Sequence, residues 1–366
     1  MKNSKNPNPH PEHALAGQGN QDKQTGRILA RTQQYFAISL QNLRIDAITG
    51  FDLYIWMPRS EKHVLYRKGD LVFSEDQKAR LQRSKVANLY VAAQDRNQYT
   101  RYLEGNLTEI IHNPDLPKEE GSDIVYACAS RLVEEIFEDP ESDENMLRAQ
   151  AMVHNTVDHL LYDQENLTNM LSLMSDDYEL YTHSVNVCVI GLALGQTLGL
   201  STPELRELGT GLLMHDIGKV QIDRRILDKP EPLTDEEMQI YRTHPERGAA
   251  ILKQSHRLAH SSLAVILQHH ETCAGTGYPY GLEASEIHQY AKIAGLANIF
   301  DGLTTDKPAR RACASFPALR NIRREMPTDI DAVFLRQLIR ILAGVKRGES
   351  KSLPPWKGSA KRKLAA

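Results

Sequence analysis

The chain has 366 residues, 41% hydrophobic and 25% charged, with a formal net charge of -3. That length allows two domains with real cores, and so mild a charge excludes a whole-chain field that would draw the protein onto nucleic acid. No run approaches the roughly 18–20 apolar residues of a membrane span, and the four scattered cysteines lack CxxC spacing, so a cytoplasmic protein without a disulfide framework or zinc knuckle is expected.

Residues 1–26 are rich in Asn, Gln, Gly and Pro and are expected to be a disordered leader. Residues 27–105 have the texture of a small α+β domain: FDLYIW alternates with period two, HVLYRKGD follows with a turn, and VANLYVAA is a third candidate strand. Between the second and third strands, SEDQKARLQRS predicts a helix with Ser74 as N-cap and an acidic first turn. From 106 to 175 the pattern predicts a helical connector of two long helices broken near Pro140. Amphipathic helices continue over 176–345, and residues 346–366 form a basic, proline-broken tail expected to be disordered. The fold class expected is mainly α, with an all-helical C-terminal domain behind a small α+β domain.

Potential metal ligands recur from residue 179 onward. Glu179 and His183 stand at i and i+4 on one helix. His215 and Asp216 follow the apolar GLLM, with Gly218 expected to end the helix and Lys219 beyond it. THPERGAAIL supplies His244, LAVILQHHE supplies His269 and His270, and LANIFDGLTTD supplies Asp301. Ionisable groups behind an apolar run are costly to bury unless paired or metal-bound. His154, His159, His256 and His260 take the ordinary reading of satisfied polar groups. Imidazole and carboxylate donors without thiolates suit Fe, Mn or another first-row ion better than structural zinc. More donors are present than one ion accommodates, and paired ions suit displacement at phosphorus.

LMHDIGK, HPERGAAIL, HHETCAGTGYPYGL and IAGLANIFDGLTTDKPAR stand in the order and spacing of the HD-GYP phosphodiesterases, a branch of the HD metal-dependent phosphohydrolases. The resemblance covers about residues 176–345, and DKPEPLTDEEMQIYRTHP matches the segment before the third histidine, with Thr234 and Glu237 as a capping box. It implies an all-helical domain that holds two or three divalent ions, Fe or Mn, and cleaves cyclic di-GMP to pGpG or GMP with a metal-bridging hydroxide as nucleophile. Carried over, His183, His215, Asp216, His244, His269, His270 and Asp301 would be ligands, with Asp216 bridging and Glu179 added where a third ion binds. Lys219, Arg310 and Asp177 would contact substrate, with Lys219 and Asp216 counted as catalytic. Gly277, Tyr278 and Pro279 form the signature loop, which in this family is a docking element for diguanylate cyclases or other signalling proteins. No nucleic acid partner or membrane span is implied, and a homodimer is allowed.

Two departures stand out. Ala274 occupies a position where the family usually has Asp, and Ala312 and Cys313 fill a stretch that often carries a basic residue. They motivate an alternative reading, a weakly active or inactive cyclic-dinucleotide sensor or interaction module.

Overall fold

The computed structural model describes residues 34–174, 180–253, 258–306 and 311–347. The chain divides between Asn106 and Leu107 into two compact units.

In the first unit, β1 (Tyr35–Ser39), β3 (Leu53–Met57), β4 (Lys62–Arg67) and β6 (Asn88–Ala92) form an antiparallel sheet in the order β1–β6–β3–β4. β2 (Ala47–Ile48) and β5 (Val72–Phe73) pair separately. Three strands and the helix α1 (Glu75–Arg83) stand where the sequence pattern puts them. Ser74 Oγ accepts the Gln77 N–H at 3.3 Å and Gln77 Oε1 accepts the Ser74 N–H at 3.1 Å, a reciprocal cap. Leu53, Phe73, Leu89 and Val91 are fully enclosed and form the core. α2 (Arg96–Gly105) completes the unit, and its Tyr102 hydroxyl accepts the Arg44 N–H at 2.7 Å. β1, β2 and β5 were not legible: two of them are two residues long, and β1 finds its partner, β6, only at the far end of the unit.

Every regular element of the second unit's described residues is a helix. It opens with α3 (Leu107–Ile111) and α4 (Lys118–Glu138). The break near Pro140 is where it was expected, and Ser142 caps α5 (Asp143–Tyr162) by accepting the Asn145 N–H. A second break corrects the expectation of two helices. Asp163 turns the chain and accepts the Glu165 N–H at 2.9 Å, opening a further helix, α6 (Gln164–Ser172).

α7 (Leu180–Thr197) is buried on every side from His183 to Gly195, which makes it the central helix of the unit. α8 (Thr202–Leu213) packs on it and ends at Leu213, five residues before the glycine expected to stop it. A 3₁₀ segment, Ile217–Gln221, then carries the chain past the start of α11 (His244–Lys253). Gly218 is needed for that crossing rather than for helix termination. A Cβ there would run into the His244 carbonyl oxygen and sit 2.5 Å from the Gly248 nitrogen. α9 (Arg224–Leu227) and α10 (Asp235–Tyr241) lie between, the latter opened by the expected Thr234–Glu237 capping box. α12 (His260–Gln268), α13 (Gln289–Thr304), α14 (Ser315–Glu325) and α15 (Ala332–Arg347) follow, with α12 against α8 and α13 against α7. Among the described residues, no helix is long and apolar enough to cross a membrane.

Candidate metal centre

The second unit brings six of the predicted ligands to one buried place. His183 comes from α7, His215 and Asp216 from the turn after α8, His244 from the first residue of α11, and His269 and His270 from the end of α12. Three rings are pinned the same way. Nδ1 of His215 lies 2.7 Å from the Leu212 carbonyl, that of His244 2.8 Å from Tyr241, and that of His269 2.9 Å from Ile266. Each carbonyl belongs to the residue three positions earlier, so the local turn itself orients the ring. A nitrogen against a carbonyl must carry the hydrogen, which leaves the Nε2 lone pair of a neutral ring pointing inward.

Those lone pairs converge on Asp216, whose two oxygens face different histidines. Oδ2 lies 3.3 Å from His215 Nε2 and 3.5 Å from His183 Nε2; Oδ1 lies 3.3 Å from His244 Nε2 and 3.7 Å from His269 Nε2. Donor atoms of His183, His215 and Asp216 all lie within 4.8 Å of one another, and so do those of Asp216, His244, His269 and His270. Two clusters therefore share one carboxylate.

Burial drives the electrostatics. It lowers the pKa of His183 and His244 and pulls His269 and His270 well below the usual imidazole value, keeping the rings neutral. Burial, the largest single influence, pushes Asp216 up, but the Lys219 ammonium 2.6 Å away together with His215 and His244 outweighs it and holds the carboxyl well below its usual range. Lys219 is itself buried and lies 5.4 Å over the Tyr241 ring.

The donor set fits divalent cations. His215 Nε2, Asp216 Oδ1 and His270 Nε2 are buried with no hydrogen-bond partner, and the Nε2 atoms of His244 and His269 face each other at 3.3 Å. With Nδ1 of His215, His244 and His269 donating to carbonyls, the Nε2 atoms of these three rings and Asp216 Oδ1 meet only one another as acceptors, an arrangement that costs free energy unless a positive charge sits among them.

Asp301 has a different place. On α13, its Oδ2 accepts from His183 Nδ1 at 2.6 Å, and its Oδ1 accepts from Asn186 Nδ2 at 2.8 Å. It stands behind His183, where a carboxylate fixes the ring's tautomer and strengthens its far nitrogen as a donor. Glu179, Asp177 and Arg310 lie outside the described residues.

The signature loop closes over the centre. Tyr278 stacks on His270 with ring centroids 4.5 Å apart and planes at 17°, and Arg242 lies 5.3 Å from the Tyr278 ring centroid. Gly277 passes so near the chain that a Cβ would come within 2.5 Å of Glu271 Cα. Glu271 organises the loop, accepting the Tyr280 N–H at 2.7 Å and the Leu282 N–H at 3.0 Å. Cys273 N–H also donates to the Asp329 carbonyl at 2.8 Å. The loop is thus tied down without a carboxylate at 274, the function the sequence could not locate.

Sequence reasoning missed Asn186, Glu271 and Arg242. Asn186 left a signal: one amide in the apolar run VNVCVI, three residues after His183 on the same helix, must find a buried partner. The others gave none, since their roles depend on distant contacts. His159 does take the ordinary reading, with Ser122 and Asn166 as its partners.

Comparisons with known proteins agree with this geometry. Residues 165–333 match the HD domain family. The chain is 36% identical over 156 residues to the cyclic di-GMP phosphodiesterase PA4108 of Pseudomonas aeruginosa, covering 43% of this chain and 38% of that protein. It is 37% identical over 132 residues to the cyclic di-GMP phosphodiesterase response regulator RpfG of Xanthomonas campestris, covering 36% and 35% of the two chains. The chain thus spans little more than a third of the length of these curated relatives. Bd1817, an HDG"Y"P protein from Bdellovibrio bacteriovorus, shares the fold, with a TM-score of 0.61 at 24% identity over 85% of this chain and all of that one. The motif series, the shared-carboxylate cluster and these likenesses agree: residues 165–333 of this chain are similar to the HD domain family, whose fold implies divalent metal binding, and Gly277, Tyr278 and Pro279 resemble the signature loop of the HD-GYP branch.

Proposed function

We propose that this protein is a cyclic di-GMP phosphodiesterase. The observation that carries the reading is one buried carboxylate, Asp216, with a histidine cluster on each of its oxygens. His183, His215 and Asp216 would hold one cation, and Asp216, His244, His269 and His270 a second; Fe or Mn suits this set, which contains no thiolate. Such ions supply a hydroxide at neutral pH and neutralise charge on the phosphoryl oxygens. In hydrolysis to pGpG, oxygen from water bonds to phosphorus as the bond to one 3′ oxygen breaks, and a proton ends on that leaving oxygen.

The residues of this chain do the rest. The carbonyl-pinned rings keep their lone pairs aimed without moving during the reaction. Lys219, buried beside Asp216, is the cation that would meet a phosphate oxygen. Arg242, 5.3 Å from the centroid of the Tyr278 ring that stacks on His270, is a second positive charge suited to a phosphate. Asp301 is assigned either as a ligand or as the group that holds His183, and Glu179, Asp177 and Arg310 keep the roles the family resemblance gives them. The α+β unit serves as a regulatory or accessory domain, the signature loop as a docking element for a diguanylate cyclase or another signalling protein, and the protein works in the cytoplasm, with a homodimer allowed.

The test is turnover of cyclic di-GMP by protein loaded anaerobically with Fe or Mn, with products resolved. Linear product is expected from the wild type and none from His215→Ala or Asp216→Ala. Metal-replete protein that binds the dinucleotide stoichiometrically without product would establish the sensor instead, and a preference for another cyclic dinucleotide would reassign the substrate.

A further inference from the structure

We propose that Tyr126 is a positioning residue for the metal centre, acting through Asn186 and Asp301 on His183. Tyr126 lies on α4, outside every motif that marks the site. Its hydroxyl donates to Asn186 Oδ1 at 2.7 Å, Asn186 Nδ2 donates to Asp301 Oδ1 at 2.8 Å, and His183 Nδ1 donates to Asp301 Oδ2 at 2.6 Å. Thr305 Oγ1 adds a bond to Asp301 Oδ2 at 3.2 Å. Asn186 is 0% exposed, Asp301 1% and His183 2%, so water cannot replace a lost partner without entering the core.

The direction of each bond is forced. Asp301 as a carboxylate only accepts, so the amide must turn its N–H₂ toward it. The amide oxygen then points at α4, where the Tyr126 hydroxyl satisfies it. Flipping the amide would set its oxygen against the carboxylate, so Asp301 selects the orientation. The Tyr126 hydroxyl then anchors the amide oxygen in the position that selection leaves it, and through the amide it holds the aim of Asp301. The next link is the tautomer of His183: Nδ1 gives its hydrogen to Asp301, and Nε2 faces Asp216 at 3.5 Å. An Asp301 that meets the cation directly needs its carboxylate fixed as much as one that acts through His183. Three helices, α4, α7 and α13, are joined by the chain. Partners of this outer kind are worth about 10–100-fold in metal affinity.

The inference rests on the metal-centre reading, and the experiment separates the two. Metal-free full-length protein is titrated with Mn²⁺ against a competing chelator, and its thermal unfolding is followed without metal. Tyr126→Phe is expected to weaken Mn²⁺ binding about 10-fold and Asn186→Ala at least as much. The double variant should be no weaker than Asn186→Ala alone, because the phenol acts through the amide. Ser122→Ala provides the control: it lies on the same helix and breaks a 3.0 Å contact with His159 instead. It should lower the unfolding temperature yet leave Mn²⁺ affinity within about twofold of wild type. The inference is overturned if Tyr126→Phe binds Mn²⁺ like the wild type, if Ser122→Ala weakens binding equally, or if the losses in the double variant add. A wild type that takes up no Mn²⁺ sinks the metal-centre reading and this inference with it.

Discussion

Single residues decide whether the signature loop keeps its shape, and Glu271 is the one that does so. A carboxylate has two acceptor oxygens, and here one takes the Tyr280 N–H and the other the Leu282 N–H. Glutamine at 271 would present one acceptor and one N–H₂, setting a donor against a backbone donor. Hydrogen bonds to a charged group are worth about 1.5–3 kcal/mol, so Glu271→Gln should lose roughly that much stability in urea unfolding. The loop holds Tyr278 over His270, so KM for cyclic di-GMP should rise more than kcat falls, with Mn²⁺ binding unaltered. An unchanged KM would show that the loop is held by its other ties. The histidines and Asp216 were legible at this scale because their chemistry is in their residue type and spacing. Glu271 was not: a glutamate after two histidines is as ordinary as any surface acid until the loop folds back onto it.

Elements follow a different logic, in which a local signal is right about a boundary and silent about its cause. Ser74, Thr234 and the Pro140 break were readable because caps and prolines act within one turn. Gly218 reads locally as a helix stop, yet the helix has ended at Leu213 and the glycine serves a crossing of the 3₁₀ segment over α11. That contact involves the backbone of His244, so it sets where a site histidine stands. Gly218→Ala must push α11 away from the turn bearing His215 and Asp216. Overpacking of this kind costs about 1–3 kcal/mol, and the variant should lose that much stability in denaturant together with most of its Mn²⁺ affinity. Stability and affinity both equal to wild type would mean that the crossing yields without cost.

At the scale of the whole molecule, the two textures of the sequence correspond to two compact units, while the packing that buries polar groups deep in the second was not readable, because burial depends on which helices meet. His159 shows the consequence. It is 3% exposed on α5, with Nε2 3.0 Å from Ser122 Oγ and Nδ1 3.5 Å from the Asn166 amide nitrogen. The amide faces Nδ1 with a donor, so the site accommodates a neutral ring and opposes a second ring proton. Burial, with repulsion from His112 as the smaller cause, pulls its pKa down to about 4. In the unfolded chain the same imidazole titrates near 6.5. Between those values the unfolded chain holds a proton that the folded one does not, so this contribution to stability is complete above pH ~6.5 and is lost progressively as pH falls toward 4. At pH 5 the loss reaches about 2 kcal/mol. His159→Leu removes the titration, so although that variant starts from a lower stability at pH 7.5, it should decline by about 2 kcal/mol less between pH 7.5 and 5 than the wild type. Urea unfolding of both proteins, stripped of metal so that the site histidines contribute equally, measures the difference. Equal declines would show that the proton taken up on unfolding belongs to other groups.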